Sequence, residues 1–354
     1  EYNLMTSVNS KIMYITKDEQ EFSDEYLKQG YIIRPAADLE ALEWISKQFI
    51  NLIENELDVE ISSNPKDKIK LVTVNGNLMP LKDAKVSITA PGLSYAALVF
   101  EGIRAYWNKE HKQLYIFRLD EHLKRFINSM KLLKFIDYPN LSSIKADILQ
   151  NIQANNYQED IYIRLQGYID EWGEMAVRSP VSTSIVSYPR PRAIAFTEGK
   201  NFTISSWQRL DDNASPPRIK ASANYLNSRL ASIQAKESGY DGGIMLGANG
   251  KVSEGPGGCI FLIRNGNLIT PTITSGILES ITRDSIIEIA NTLTINVQTR
   301  DVDRTELYIA DEIFYCGTGQ EIMPILSVDK MLAGEGIPGK ITKTLQSEFT
   351  EIVR

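Results

Sequence analysis

Apolar and polar residues alternate with a period of two along much of the chain, and each such run stops at a turn signal. Leu71-Val72-Thr73-Val74 runs into Asn75-Gly76, Gly243–Leu246 into Asn249-Gly250, and Ile260–Ile263 into Asn265-Gly266. Asn-Gly between two short apolar runs predicts a tight hairpin, because both turn positions favour positive φ. Strands are also predicted over Val86–Ile88, Gly102–Trp107, Leu114–Phe117, Ile161–Ile169, Ser182–Ser187 and Phe202–Ser205, with a buried strand over Ile309–Cys316. Helical spacing of apolar residues predicts helices from an Asp120 cap to Leu133, and over Ser143–Asn155, Tyr225–Glu237, Thr282–Leu293 and Lys340–Ile352.

The texture before this is different. Residues 1–68 read as an extension, with a helix capped by Asp38 that puts Leu42, Ile45, Phe49 and Leu52 on one face. The lysine-rich stretch Ser62–Lys70 reads as a linker. Strands and helices then fall into two unequal blocks, a smaller lobe over 69–188 and a larger one over 195–354. Between them lies a proline-containing connection over 189–194, preceded by Tyr188. This pattern implies an α+β architecture of two α/β lobes with a cleft between them.

Composition narrows the function. A chain of 354 residues, 43% hydrophobic, can bury substantial cores. Its net charge of -7 and interspersed basic residues give no footprint for nucleic acid. Two cysteines and two histidines in no ligand spacing argue against a metal site. No apolar run approaches the ~20 residues of a membrane span, and the first twenty residues do not read as a signal peptide. A cytoplasmic location is expected.

Two segments carry the chemistry. Lys220 stands among small residues in Arg218-Ile-Lys-Ala-Ser-Ala-Asn-Tyr225, and Glu254 stands in the glycine-rich Gly250-Lys-Val-Ser-Glu-Gly-Pro-Gly-Gly258. Alone, a lysine or a glutamate is usually a solvated surface charge. Together they supply an amine that can condense with an aldehyde and an acid that can protonate a ring nitrogen, the two demands of pyridoxal phosphate. Tyr225 can bond the ring hydroxyl, although a half-buried helix aromatic is the commoner fate of such a residue. Arg125 suits a phosphate dianion. The helix start at Thr282, after Gly276-Ile-Leu-Glu-Ser-Ile281, and the turn Gly317-Thr318-Gly319 both offer backbone N–H groups to an anion. Most arginines on helices are solvated and most Gly-Thr-Gly turns are only turns, so the argument rests on their joint occurrence. His122 is expected to be structural.

These segments, in this order, resemble the fold-type IV pyridoxal phosphate enzymes, and among them the branched-chain amino-acid aminotransferases. Further matching stretches are Leu93-Ser-Tyr95, Val99-Phe-Glu-Gly-Ile-Arg-Ala-Tyr106, Glu121–Arg125, Tyr162-Ile-Arg164, Ile281-Thr-Arg283 and Cys316-Gly-Thr318, and the likeness spans roughly residues 70–354. The resemblance implies that Lys220 is the Schiff-base lysine and Glu254 the partner of the ring nitrogen. It implies phosphate ligands at Arg125, Ile281, Thr282 and Thr318, and Tyr225 on the ring hydroxyl. Substrate-pocket positions are Tyr95, Phe100, Gly102, Arg104, Tyr162 and Arg164, with Thr318-Gly319 facing the α-carboxylate. It also implies a homodimer that shares pocket residues, and ping-pong transamination between an apolar L-amino acid and 2-oxoglutarate. Three positions depart from the family pattern: Cys259 stands where Asn is usual, Glu279-Ser280 where Pro-Gly is usual, and Gly319 where Ala is usual. They and the extension point to a specialised biosynthetic aminotransferase. A fold-type IV lyase and a D-amino-acid aminotransferase are the alternatives on the same cofactor, and Tyr162-x-Arg164 argues against both. A cofactor-binding scaffold without turnover is the alternative of another class.

Overall fold

The computed structural model describes residues 68–354 and the backbone of two short strands before them, β1 (Tyr2–Met5) and β2 (Met13–Thr16), which pair antiparallel. Glu1–Ser63 form one compact unit and Asn64–Arg354 another. The helix expected from Asp38 lies outside the described residues.

The first sheet of the second unit has six strands: β3 (Leu71–Val74), β4 (Asn77–Pro80), β5 (Leu98–Asn108), β6 (Gln113–Ile116), β7 (Ile161–Ile169) and β8 (Val181–Pro189). Their order is β4-β3-β8-β7-β5-β6, and every pairing is antiparallel. Helices α2 (Leu119–Leu132) and α3 (Leu141–Asn155) cover one face, after a single turn α1 (Pro91–Ser94). Leu123, Phe126, Met130, Ile144 and Ile148 of these helices pack on Ile103, Ile163 and Leu165 of the sheet. Every third or fourth helix position is thus apolar where it meets alternate strand positions, as the two periodicities require.

The second sheet holds β9 (Lys200–Ile204), β10 (Gly242–Ile244), β11 (Glu254–Gly255), β12 (Gly258–Arg264), β13 (Asn267–Thr270), β14 (Val297–Thr299), β15 (Glu312–Gly317), β16 (Glu321–Val328) and β17 (Met331–Leu332). Its path is β10-β9-β16-β15-β12-β13-β14, with β11 beside β12 and β17 beside β16. The central strands are almost wholly buried because apolar clusters cover both faces. One face carries α6 (Ile281–Thr292) and α7 (Lys340–Val353), following α4 (Ala195–Glu198) and α5 (Asn224–Glu237) in the chain.

Two of the three Asn-Gly signals form the expected hairpin turn, with both residues at positive φ: Asn75 and Gly76 at 48° and 78°, Asn265 and Gly266 at 51° and 75°. The third is a wider turn. Gly247 N–H donates to Lys251 O at 2.8 Å, and only Gly250 has positive φ. Two other expectations fail. Val86–Ile88 form no strand, since no neighbouring strand reaches them and Ile88 is 84% exposed. Asp120 does not cap its helix. Arg118, at φ 49°, is the cap residue, and Asp120 sits in the first turn with its carboxylate on Lys145 Nζ at 2.6 Å.

One buried ion cluster joins β5 to α2. Glu101 is wholly buried, and its two oxygens accept hydrogen bonds from Arg125 Nε at 2.8 Å and Nη2 at 2.7 Å. His122 Nδ1 lies 2.8 Å from the same carboxylate and so carries the proton of that bond. Burial pushes Glu101 upward, but the charge and hydrogen bonds of Arg125, with His122, outweigh it and hold the carboxyl at about 2. Burial pushes His122 below its usual range, against the pull of Glu101, so the ring is favoured neutral. Both folded values are depressed. The stability they contribute is therefore complete at neutral pH, begins to fall below the ordinary histidine value of ~6.5, and is lost further as pH drops from ~4.3 towards about 2. Glu101→Gln should cost about 3–5 kcal/mol at neutral pH, because it strands Arg125 without a buried partner. The gap between wild type and variant should narrow as pH falls through that lower window. Denaturant unfolding across pH measures both, and a small, pH-independent gap would contradict the assignment.

Candidate active site

Lys220 lies between the two sheets' residues, and its backbone is held like an extra strand against β5. Phe100 N–H donates to Lys220 O at 3.0 Å, Ser222 N–H donates to Leu98 O at 2.9 Å, and Val99 and Ala221 form a bridge. Lys220 N–H donates to Ser129 Oγ on α2 at 3.2 Å. With the backbone fixed at these points, the side chain reaches into a cavity. It is lined by Arg125, Lys220, Tyr225, Glu254, Ser280 and Thr318 among others. Lys220 Nζ is 2.9 Å from Tyr225 Oη and 5.0 Å from the centre of the Phe100 ring, and Phe100 meets Tyr225 edge-on at 4.8 Å. Tyr225 stands in the first turn of α5, which starts four residues after the lysine.

Glu254 lines the same cavity from β11 and is 4% exposed. Burial pushes its carboxyl above the ordinary range, opposed by Arg209 and by the Leu278 N–H. Arg209 Nη2 lies 2.8 Å from one oxygen, and Leu278 N–H donates to the other at 3.2 Å. Arg209 was not singled out from the sequence, since no motif marks it; its role appears only once the chain folds it onto Glu254. Its Nη1 is buried without a hydrogen-bond partner. Cys259 Sγ is 3.8 Å from Glu254, and burial raises the thiol far above its usual value, so this departure is a neutral wall.

The anion end of the cavity is built by Arg125 and the start of α6. Beyond its two bonds to Glu101, Arg125 donates through Nη1 to Glu279 O at 2.8 Å, which leaves one N–H on each terminal nitrogen. Ser280 is the N-cap, accepting from Arg283 N–H at 3.2 Å, and it lines the cavity. The N–H groups of Ile281 and Thr282 in the first turn have no acceptor within the helix. Thus the Glu279-Ser280 departure keeps a capped helix end. Thr318 lines the cavity after β15. An amine, a buried carboxylate, a guanidinium and a helix N-terminus around one cavity match the aldehyde, ring nitrogen and phosphate of pyridoxal phosphate, so the donor set fits that group.

A second group of expected residues joins Lys220 through Phe100 and lies outside the residues that line the cavity. The register of β5 and β7 places Gly102 opposite Arg164 and Arg104 opposite Tyr162. The Tyr162 hydroxyl occupies the space over Gly102: a Cβ there would lie 1.8 Å from it, so only glycine admits this ring. Arg164 Cζ stands 4.5 Å over Phe100, and Tyr162 packs on Tyr188 at 5.6 Å. Arg104 is used differently. It is 2% exposed, donates to Arg190 O and Pro191 O at 2.7 and 3.1 Å, and lies 3.1 Å from Glu321, which also binds Arg192. It positions the 190–192 segment and lines none of the cavity around Lys220. Tyr95 is 51% exposed at the end of α1 and also lines none of it.

Comparison with known proteins agrees with this geometry. The family described as "Amino-transferase class IV" matches residues 98–328. The chain is 38% identical over 283 residues to a probable branched-chain-amino-acid aminotransferase of Aquifex aeolicus, covering 79% of this chain and 91% of that protein. It is similar to the crystal structure of the branched-chain aminotransferase of Thermoproteus uzoniensis with norvaline, with a TM-score of 0.76, 38% identity and coverage of 80% of this chain and 95% of that one. It is also similar to the holo, PLP-form structure of the branched-chain amino acid aminotransferase of Thermobaculum terrenum, with a TM-score of 0.75, 41% identity and coverage of 80% and 94%. A family match across the whole site, with relatives this similar over four-fifths of the chain, makes it a member of the class IV aminotransferases.

Proposed function

We propose that the chain is a pyridoxal-phosphate-dependent aminotransferase that exchanges the amino group between an L-amino acid with a branched-chain or other apolar side chain and 2-oxoglutarate. The observation that carries this is the meeting of Lys220, Glu254 and Arg125 around one cavity. When bound, pyridoxal phosphate supplies the electron sink that lets a substrate Cα give up its proton. Lys220 would hold the cofactor through its amine and, once released, move the proton at Cα, with Tyr225 2.9 Å from the amine to keep it in place. Glu254 would hold a proton on the ring nitrogen. Its raised pKa lets it share that proton, and Arg209 and Leu278 N–H fix its orientation. Arg125, Thr318 and the N–H groups of Ile281 and Thr282 would bind the phosphate, and the Thr318-Gly319 turn the α-carboxylate. Phe100, Tyr162 and Tyr188 would form an apolar wall for an aliphatic side chain, while Arg164 would receive the second carboxylate of glutamate. Two substrates using one site in turn imply ping-pong kinetics.

Residues 69–188 and 195–354 are taken as two lobes joined by 189–194, each built on one sheet. A homodimer is the assembly we propose. Ile88, Leu93 and Tyr95 are exposed on one segment and Trp172 and Met175 on another, and the two segments meet where Thr89 Oγ1 donates to Glu171 O. Apolar side chains gathered this way are characteristic of an interface. Among the described residues no helix is long and apolar enough to cross a membrane. Two free, buried cysteines suit a reducing cytoplasm.

Borohydride reduction of the cofactor-loaded protein, followed by peptide mapping, should place the cofactor on Lys220, and Lys220→Ala should abolish the adduct; an adduct on another lysine refutes the assignment. Arg164→Ala should lower turnover of 2-oxoglutarate at least about tenfold more than turnover of an aliphatic 2-oxo acid, about 1.4 kcal/mol. Steady-state kinetics with both acids decides this, and equal losses would make Arg164 a packing residue. Light scattering should return twice the chain mass; a fully active monomer would rule the dimer out.

A further inference from the structure

Two guanidinium groups converge on the Tyr162 ring. Arg164 Cζ is 5.7 Å from its centre and Arg190 Cζ is 4.8 Å from it. Their circumstances differ from those of the other arginines nearby. Arg125 is committed to Glu101, Arg209 to Glu254, and Arg104 and Arg192 to Glu321. Arg164 and Arg190 have ring contacts only, with no side-chain hydrogen bond and no carboxylate partner among the described residues. Two like charges brought to one ring repel each other, and their N–H groups stay unused unless an anion comes between them.

The backbone of Arg190 is fixed on both sides. Its N–H donates to Asp160 O at 2.9 Å, and its carbonyl accepts from Arg104 Nη2 at 2.7 Å. Only the side chain is free to move. Its guanidinium occupies the space beside Gly319, in the turn that follows the cavity-lining Thr318. A Cβ on Gly319 would stand 3.1 Å from Arg190 Nη2 and 3.4 Å from Cζ. An alanine, usual here in the family this chain resembles, would press on the guanidinium. The glycine therefore leaves the guanidinium room that an alanine methyl would take.

We infer that Arg190 is a specificity-determining residue. With Arg164 it forms a two-armed clamp for the side-chain carboxylate of a dicarboxylic substrate, and it lies back on the Tyr162 face when the side chain is aliphatic. The stacked position is the one observed, and the ring's negative face gives the cation a resting place that needs no anion. This rests on the aminotransferase reading and adds a second cation to the acidic half-reaction.

The test uses two acids that lack an amino group and cannot be turned over. Calorimetry on the cofactor-loaded protein compares glutarate, with two carboxylates, against 4-methylpentanoate, with one. Arg190→Gln should weaken glutarate at least fivefold while 4-methylpentanoate changes less than twofold. Arg190→Lys, which keeps the charge, should recover part of the loss. Gly319→Ala removes no charge but crowds the guanidinium, and should shift glutarate in the same direction as Arg190→Gln. A glutarate loss below fivefold, or an equal loss for both acids, overturns the proposal. Failure of the aminotransferase reading is distinguishable, because it shows as wild-type protein that makes no 2-oxo acid from any amino donor, whatever the two acids do.

Discussion

The site depends on what strand β5 is tied to. Over three consecutive positions this strand carries Phe100 beside the lysine amine, the buried Glu101 and the bare Gly102 under Tyr162, and two residues further on Arg104. Its own backbone bonds hold Lys220 in place. Glu101 is the point of greatest constraint, because a wholly buried carboxylate is tolerable only with its partners present. Arg125 and His122 must therefore sit where they do, and α2 with them. Arg125 and Lys220, at two ends of the cavity, are in this way referred to one strand, which sets the distance between them. A charge removed from that joint would be felt by the anion end before it was felt by the amine.

The distribution of charge around the cavity follows the same logic. Arg125, Arg209, Arg104 and Arg192 are each paired with a buried carboxylate, whereas Arg164 and Arg190 are left with ring contacts. Arg104 illustrates how similar residues divide between these roles. On sequence it stands with Arg164 as a pocket residue, yet, on the same strand face as Gly102 but two residues further along, it reaches Glu321 and the carbonyls of the 190–191 segment. Through those carbonyls it still governs where Arg190 begins, so it acts on the pocket from behind.

The sequence made the strands with clear alternation and the helices with clear faces legible, and it singled out a lysine and a glutamate that the fold brings to one cavity. β7 is found over the expected residues, and the helix ends near α3 and α6 are off by a residue or two. What misled was local appearance without a partner. Val86–Ile88 has strand-forming residues but no strand to pair with, and Asp120 looks like a cap although Arg118 takes the left-handed position that starts the helix. Arg209 and Arg190 were illegible for a different reason. Each is defined by a contact far away in the chain, Glu254 for the one and Gly319 for the other. No local spacing encodes such a pair. Gly319 was visible as a departure from a pattern, but its meaning needed the guanidinium beside it.

In the proposed function, one site alternates between an aliphatic and a dicarboxylic substrate by passing a single amino group through its cofactor. Absorbance of the purified, cofactor-loaded protein tests this most directly, with no second enzyme present. L-glutamate added alone should convert the cofactor's visible band to that of its aminated form in a single turnover. Subsequent 4-methyl-2-oxopentanoate should restore the original band as L-leucine accumulates. A spectrum that ignores glutamate, or that converts and does not return, would contradict the account.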